Sequence, residues 1–271
     1  MLESNDTQER EPAVAGAGSR SALESNDDVA RRYTPVPGVR RVKQAMVKNE
    51  ANRTAVTWGT ADSTRLSSAQ LDGVHTVVSS LLYAESHGND VCSNLICHVP
   101  YADISDAFAV QVLDESHHAW MLTRYLKQEL RRPIIRRPLV PWLIVEQLKL
   151  IHDPLLCALS ASFFIECAAA EVQAEIIRKV DEPLLVEIFR TISRDESRHI
   201  ALGREVVAFL LDDPAQRRGW RRIRNRVFRD FLRLSAERTF HHYAPLAKLF
   251  GIDVPRALRH TMERLDGAVG L

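Results

Sequence analysis

The chain has 271 residues, 45% hydrophobic and 26% charged, which is enough apolar material for a sizeable core. Its 36 basic and 35 acidic residues leave a formal net charge of +1, so no overall excess points to nucleic acid or to a membrane surface, and either partner would need a local patch. The four cysteines, Cys92, Cys97, Cys157 and Cys167, form no Cys-x-x-Cys pair, which excludes a rubredoxin or zinc-ribbon module; lying in apolar stretches, they read as buried free thiols.

Residues 1–36 are rich in Ser, Asn, Asp, Glu, Gly and Ala, repeat Leu-Glu-Ser-Asn-Asp from Leu2 and from Leu23, and read as a disordered tail. No basic segment followed by an apolar run opens the chain, and no stretch is expected to span a bilayer, so a reduced cytoplasmic setting and no membrane partner are expected. Pro35 and Pro37 lead into a transition segment ending near Ser63. From there the apolar period is helical and no strand pattern is left over. A first helix is predicted from about Ser67 to Leu95 and a second from Ala102 to Leu130, followed by a Pro- and Arg-rich break, Arg131 to Pro141. A short helix, Trp142 to Ile151, precedes Pro154, whose fixed φ suits the first turn of a third long helix ending near Val180. Asp181 is the expected N-cap of a fourth helix ending near Leu211. Pro214 opens a basic fifth helix to about Ala236, and a last one follows Val254. The expectation is an all-α four-helix bundle over about 67–211, with a long crossover between helices two and three and extra helices over 214–271, in one domain from 37 to 271.

The second helix carries Asp114-Glu115-Ser116-His117-His118 and the fourth Asp195-Glu196-Ser197-Arg198-His199. Residues three apart share a helix face, so Glu115 with His118, and Glu196 with His199, can each grip one metal ion; His117 is rotated away. One Glu-x-x-His is weak evidence, and a lone glutamate or histidine is more often a surface or satisfied core residue. Two copies sharing the preceding Asp are harder to dismiss, and each has a glutamate thirty residues upstream, Glu85 before Glu115 and Glu166 before Glu196. Two helices joined by a short turn bring such residues to one height. Glu166 sits among Phe163, Phe164, Ile165 and Ala168 to Ala170, on a stripe with Leu159, Phe163, Ala170 and Ile177, where a carboxylate needs compensation. Glu196 shares its stripe with Ile188, Ile192, Ile200, Gly203 and Val207, whereas Glu171 and Glu175 share a face with Arg178 and read as solvated. Four converging glutamates resist ionisation unless cations match them, and two divalent ions do so. Mostly oxygen with one imidazole per ion suits iron or manganese better than structural zinc, and Asp114 and Asp195 are placed to orient the imidazoles.

These residues resemble the ferritin-like non-heme diiron carboxylate superfamily, in which helices one and three each give a Glu and helices two and four each give Glu-x-x-His; the match covers about Ser67 to Leu211. The resemblance implies a ferritin-like fold, ligands Glu85, Glu115, His118, Glu166, Glu196 and His199, two iron ions or an iron and manganese pair, and dioxygen as co-substrate. Within the superfamily the two strings look most like the p-aminobenzoate N-oxygenase type, except that its extra histidine, four residues before the helix-four Glu, is Ile192 here. That departure leaves a six-ligand site closer to hydroxylases, acyl-carrier-protein desaturases and aldehyde-deformylating oxygenases. The radical tyrosine of ribonucleotide reductase small subunits would lie four residues after the helix-two His, at Leu122, although Tyr83 and Tyr125 remain near enough in sequence to approach the site.

The leading expectation is an oxidase or monooxygenase that draws on an external electron donor to hydroxylate, N-oxygenate or desaturate a small organic substrate. The alternative is iron handling, as ferroxidase, iron store or peroxide scavenger. A third class is a binding module: Arg217, Arg218, Arg221, Arg222, Arg224, Arg226 and Arg229 crowd around Trp220, Ile223, Val227, Phe228 and Phe231, and with Arg131, Arg132, Arg136 and Arg137 suit an acidic carrier protein more than RNA. The plainer and preferred reading is a solvated basic face on an amphipathic helix. His75, His87, His98, His152, His241, His242 and His260 show no ligand spacing, and an outer helix face is compatible with a homodimer.

Overall fold

The computed structural model describes residues 31–50, 55–135 and 139–269; most of the expected tail, and Arg136 and Arg137, lie outside them. Eight helices are formed among the described residues, and no strand. They are α1 (Pro37–Glu50), α2 (Ser68–His98), α3 (Ala102–Arg124), α4 (Leu139–Leu148), α5 (Pro154–Lys179), α6 (Pro183–Leu211), α7 (Gly219–Leu249) and α8 (Val254–Val269). A π-helical turn, Tyr125–Glu129, extends α3, and another, Ser160–Ile165, interrupts α5.

The starts follow local chemistry. Ser67 caps α2 in a reciprocal capping box with Gln70, and Asp153 caps α5, whose first residue is Pro154. The fourth bundle helix is capped by Glu182 rather than Asp181: its buried carboxylate accepts the N–H groups of Leu184 and Leu185 (3.3 and 2.7 Å) and the Tyr125 hydroxyl (2.8 Å). A carboxylate one residue earlier would lack that hydroxyl.

Helices α2 and α3 form one hairpin and α5 and α6 the other, and α4 lies in the long crossover between them. Glu85 lies thirteen residues before His98 and Glu115 thirteen after Ala102; Glu166 lies thirteen before Lys179 and Glu196 thirteen after Pro183. At 1.5 Å per residue all four therefore stand at one level of the bundle. Apolar clusters close that level on both sides, one around Leu95, Phe108, Leu155 and Val206, the other around Val78, Leu122, Leu185 and Ile192. The expected stripe about Glu196 is buried as predicted, and at Gly203 α6 packs directly on α5: a Cβ there would overlap the Ser162 side chain.

Several expectations are corrected by packing. The transition segment contains α1, anchored by Val36, which is buried and donates its N–H to Asp103 (2.9 Å), and by Arg40 on the same carboxylate (2.6 Å). The basic fifth helix begins at Gly219, after a 3-10 turn at Pro214–Arg217, and runs to Leu249. Glu171 and Glu175 are buried, because α8 covers that face of α5 and supplies Arg264 to Glu171 (2.9 Å), while Glu175 pairs with Arg178. Cys97, unlike the other three cysteines, is exposed. Contrary to expectation, α5 is long and apolar enough to cross a bilayer, but 76% of its most apolar window is buried inside the bundle.

Candidate metal centre

The six predicted residues converge and are almost sealed from solvent: no member exceeds 3% exposure. Ligand atoms of Glu115, Glu166, Glu196 and His199 lie within 4.8 Å of one another, as do those of Glu85, His118 and Glu196. Glu196 belongs to both groups. His118 Nδ1 stands 3.1 Å from Glu85, 3.7 Å from Glu196 and 3.9 Å from Glu115. His199 Nδ1 stands 3.2 Å from Glu115, 3.5 Å from Glu196 and 3.7 Å from Glu166. Both imidazoles thus turn Nδ1 toward the carboxylates and Nε2 outward.

The two aspartates of the repeated strings act crosswise. His118 Nε2, on α3, donates to Asp195 of α6 (3.2 Å), and His199 Nε2, on α6, donates to Asp114 of α3 (3.1 Å). An aspartate that accepts the Nε2–H hydrogen bond fixes the ring so that Nδ1 faces the centre and can offer its lone pair once a metal displaces its proton. His117 instead stacks against Trp120, outside both ligand groups.

The electrostatics are those of charge crowded into a dry space. Burial pushes Glu85 well above the usual carboxylate range, with Glu196 and Glu115 adding to it, and Glu166 rises through burial and repulsion by Glu115 and Glu196. For Glu115, burial is outweighed by the imidazoles of His199 and His118, so its carboxyl is held low; Glu196, likewise opposed by burial, is held low by Glu166 and His199. Burial would lower both histidines, yet the surrounding carboxylates raise His118 and lift His199 well above its ordinary value. Even so, Glu196 Oε2 and His199 Nδ1 are buried with no hydrogen bond. A buried carboxylate oxygen and a ring nitrogen that face one another with no hydrogen bond, amid four carboxylates, suit a cation-binding cage, and the cluster can hold two metal ions.

Two buried glutamines complete the cage. Gln111 donates its amide to Glu166 (2.6 Å) and Glu115 (3.3 Å); Gln173 donates to Glu196 (3.4 Å) and accepts from the Ser193 hydroxyl (3.0 Å). Gln111, four residues before Glu115, shares its helix face and was open to detection by spacing; Gln173 takes its place only through the packing of α5 on α6.

An apolar cavity of ≈ 180 Å³ adjoins this level. Its inner wall includes Ala84, His87, Phe164, Ile165, Ala168 and Ala169, chain neighbours of Glu85 and Glu166, and its outer wall comes from α7 and α8. His87, which sequence spacing left without a role, is buried there, with Nε2 3.2 Å from Glu146. Tyr83 also lines the cavity and donates to the Ile135 carbonyl (3.1 Å), while Tyr125, bound to Glu182, points away from the centre. Thr239 lines the cavity as well, and its buried hydroxyl has no hydrogen-bond partner.

No protein-family model matches the chain, and a search of curated proteins finds no match. Among solved structures, the chain is similar to a ribonucleotide reductase R2 subunit from Clostridium botulinum, with a TM-score of 0.64 at 13% identity over 84% of this chain and 81% of that one. It is also similar to an R2-like ligand-binding oxidase with an aerobically reconstituted Mn/Fe cofactor, with a TM-score of 0.59 at 13% identity over 86% of this chain and 91% of that one. At such identity the likeness establishes the fold, a ferritin-like helical bundle.

Proposed function

We propose that this protein is an oxygen-dependent, dimetal oxidoreductase acting on a small organic substrate, and that its centre belongs to a ferritin-like domain spanning residues 37–271. Glu85, His118 and Glu196 would hold one ion, and Glu115, Glu166, Glu196 and His199 the other, with Asp114 and Asp195 fixing the imidazoles. Two iron ions, or iron with manganese, would supply the redox equivalents and Lewis acidity that dioxygen chemistry needs. The observation that carries this reading is the sharing of Glu196 between two buried ligand groups, since one carboxylate between two cation positions defines a dinuclear site.

The chain's own residues set the conditions for that chemistry. The apolar clusters on either side exclude water, and the two aspartates fix each Nε2 outward so that Nδ1 is the ring atom offered to the centre. Gln111 holds Glu115 and Glu166 in fixed rotamers. The adjoining cavity favours an organic substrate over iron handling, because a route for ions would be lined by oxygen rather than by Val, Leu, Ile and Phe. A cavity of this size admits about a benzene-sized apolar group, and the Thr239 hydroxyl is left to bind a polar substituent on it. Hydroxylation, N-oxygenation and desaturation are the reaction classes in view, each with an external electron donor.

Anaerobic reconstitution with ferrous iron should load two ions per chain by elemental analysis, and admission of oxygen should then give consumption recorded at an electrode. Folded, iron-supplied protein that retains no transition metal would sink the proposal, as would loaded protein inert to oxygen. Assembly into a cage that mineralises many irons per chain would instead establish the iron-handling class.

A further inference from the structure

The buried side of α7 is formed by Asn225, Leu232, Ser235, Ala236 and Phe240. Of the apolar residues that the basic helix was expected to carry, Phe228 packs against the core, whereas the other four, joined by Leu234, point the other way. Trp220 is 74% exposed, Ile223 54%, Val227 63%, Phe231 36% and Leu234 49%. At 100° per residue these five fall on one stripe, about 80° wide and about 21 Å long, nearly opposite the buried face. Between Gly219 and Leu234 the helix carries six arginines and a single acid, Asp230. Arg226, exposed and with no ion pair among the described residues, stands about 60° beyond one edge of the stripe, and Arg222, likewise exposed and unpaired, about 100° beyond it. Arg224, on the other flank, is held by Asp153 (2.6 Å), and Arg221, Arg229 and Arg233 pair with Asp213, Asp230 and Asp266. The chain is therefore near neutral overall, while this ridge carries uncompensated positive charge at Arg222 and Arg226.

We propose that α7 is a docking surface for an anionic lipid membrane, with the stripe inserted at the headgroup boundary and the unpaired Arg222 and Arg226 reaching lipid phosphates and carboxylates. Charge complementarity selects this occupant. An apolar stripe ending in tryptophan and bordered by arginine is the pattern of helices that lie in the plane of a bilayer interface. A single convex helix ridge offers no groove to grip a protein partner, whereas a lipid surface needs none. The C-terminal half of the same helix lines the apolar cavity through Ala236, Phe240, Tyr243 and Leu246, so docking would bring a cavity wall to the membrane.

The experiment is co-sedimentation of the full-length protein with phosphatidylcholine vesicles, with and without phosphatidylglycerol, across a salt series. The wild type should sediment only with the anionic vesicles and be released by salt. Arg222→Ala with Arg226→Ala should weaken partitioning about 25-fold, about fivefold per arginine. Ile223→Asp with Val227→Asp should abolish it, with helical circular dichroism and thermal midpoint unchanged because both side chains are exposed. Brominated lipid should quench the wild-type tryptophan emission but leave that of Trp220→Phe nearly unaffected. Failure of folded protein to bind anionic vesicles overturns the proposal, as does binding indifferent to these substitutions. A dimer in sedimentation equilibrium that Ile223→Asp with Val227→Asp dissociates would assign the stripe to a second copy and overturn it equally.

Discussion

Loading the centre with metal should release protons, and the cluster's electrostatics name their sources. Without cations, burial and repulsion push Glu85 and Glu166 toward the protonated form, and the carboxylates around His118 and His199 push the imidazoles toward the charged form. Glu115 and Glu196 are held toward the ionised form. Two divalent ions replace that balance with four carboxylates and two neutral imidazoles. Loading should therefore release protons, up to about four, drawn from Glu85, Glu166, His118 and His199. At two protons per ion the apparent affinity would fall about 100-fold per ion for each pH unit of acidification, about 2.7 kcal/mol at 1.36 kcal/mol per proton. Calorimetric titration with Mn(II) in buffers of different protonation enthalpy measures the count directly. The metal-free protein should show the opposite trend. All four groups have folded values raised above their unfolded ones, so their contribution to stability is present below the unfolded values and is lost as pH rises through the folded ones. The thermal midpoints of loaded and metal-free protein should thus diverge as pH rises. Release of no more than about one proton per pair of ions, or an affinity indifferent to pH, would refute this account of the cluster.

Other expectations follow from single side chains. Glu196→Ala should abolish retention of both ions, whereas Glu85→Ala should leave about one per chain by elemental analysis, since only Glu196 belongs to both ligand groups. Gly203→Ala should destabilise the fold by about 1–3 kcal/mol in chemical denaturation, because its Cβ would meet the Ser162 side chain at 2.0 Å between two bundle helices. Asp103→Asn should loosen α1 at a cost of about 1–3 kcal/mol, seen as faster hydrogen exchange over residues 37–50. Burial alone would raise Asp103, but the Val36 N–H and Arg40 hold its carboxyl low, so this contribution is present above the unfolded value and fades as pH falls through the folded one. A thiol reagent at neutral pH should label Cys97 in native protein and spare Cys157 and Cys167, whose thiols burial pushes up to about 12 and about 11.

Sequence by itself determined the bundle and the height of its centre. Helical period and capping residues are local, and the equal thirteen-residue arms from each ligand to its turn follow from a fixed rise per residue. It therefore placed Glu85, Glu115, His118, Glu166, Glu196 and His199 on inward faces at one level. Tertiary structure decided what depends on neighbours remote in the chain. Asp114 serves the histidine of the other helix rather than its own, as does Asp195, because the imidazoles reach across the bundle. Gln173 reaches Glu196 only because α5 packs on α6. Periodicity shows that a helix has two unlike faces but not what covers each: for Glu171 it is α8, an element some ninety residues away, and for the apolar stripe of α7 it is no described part of the chain.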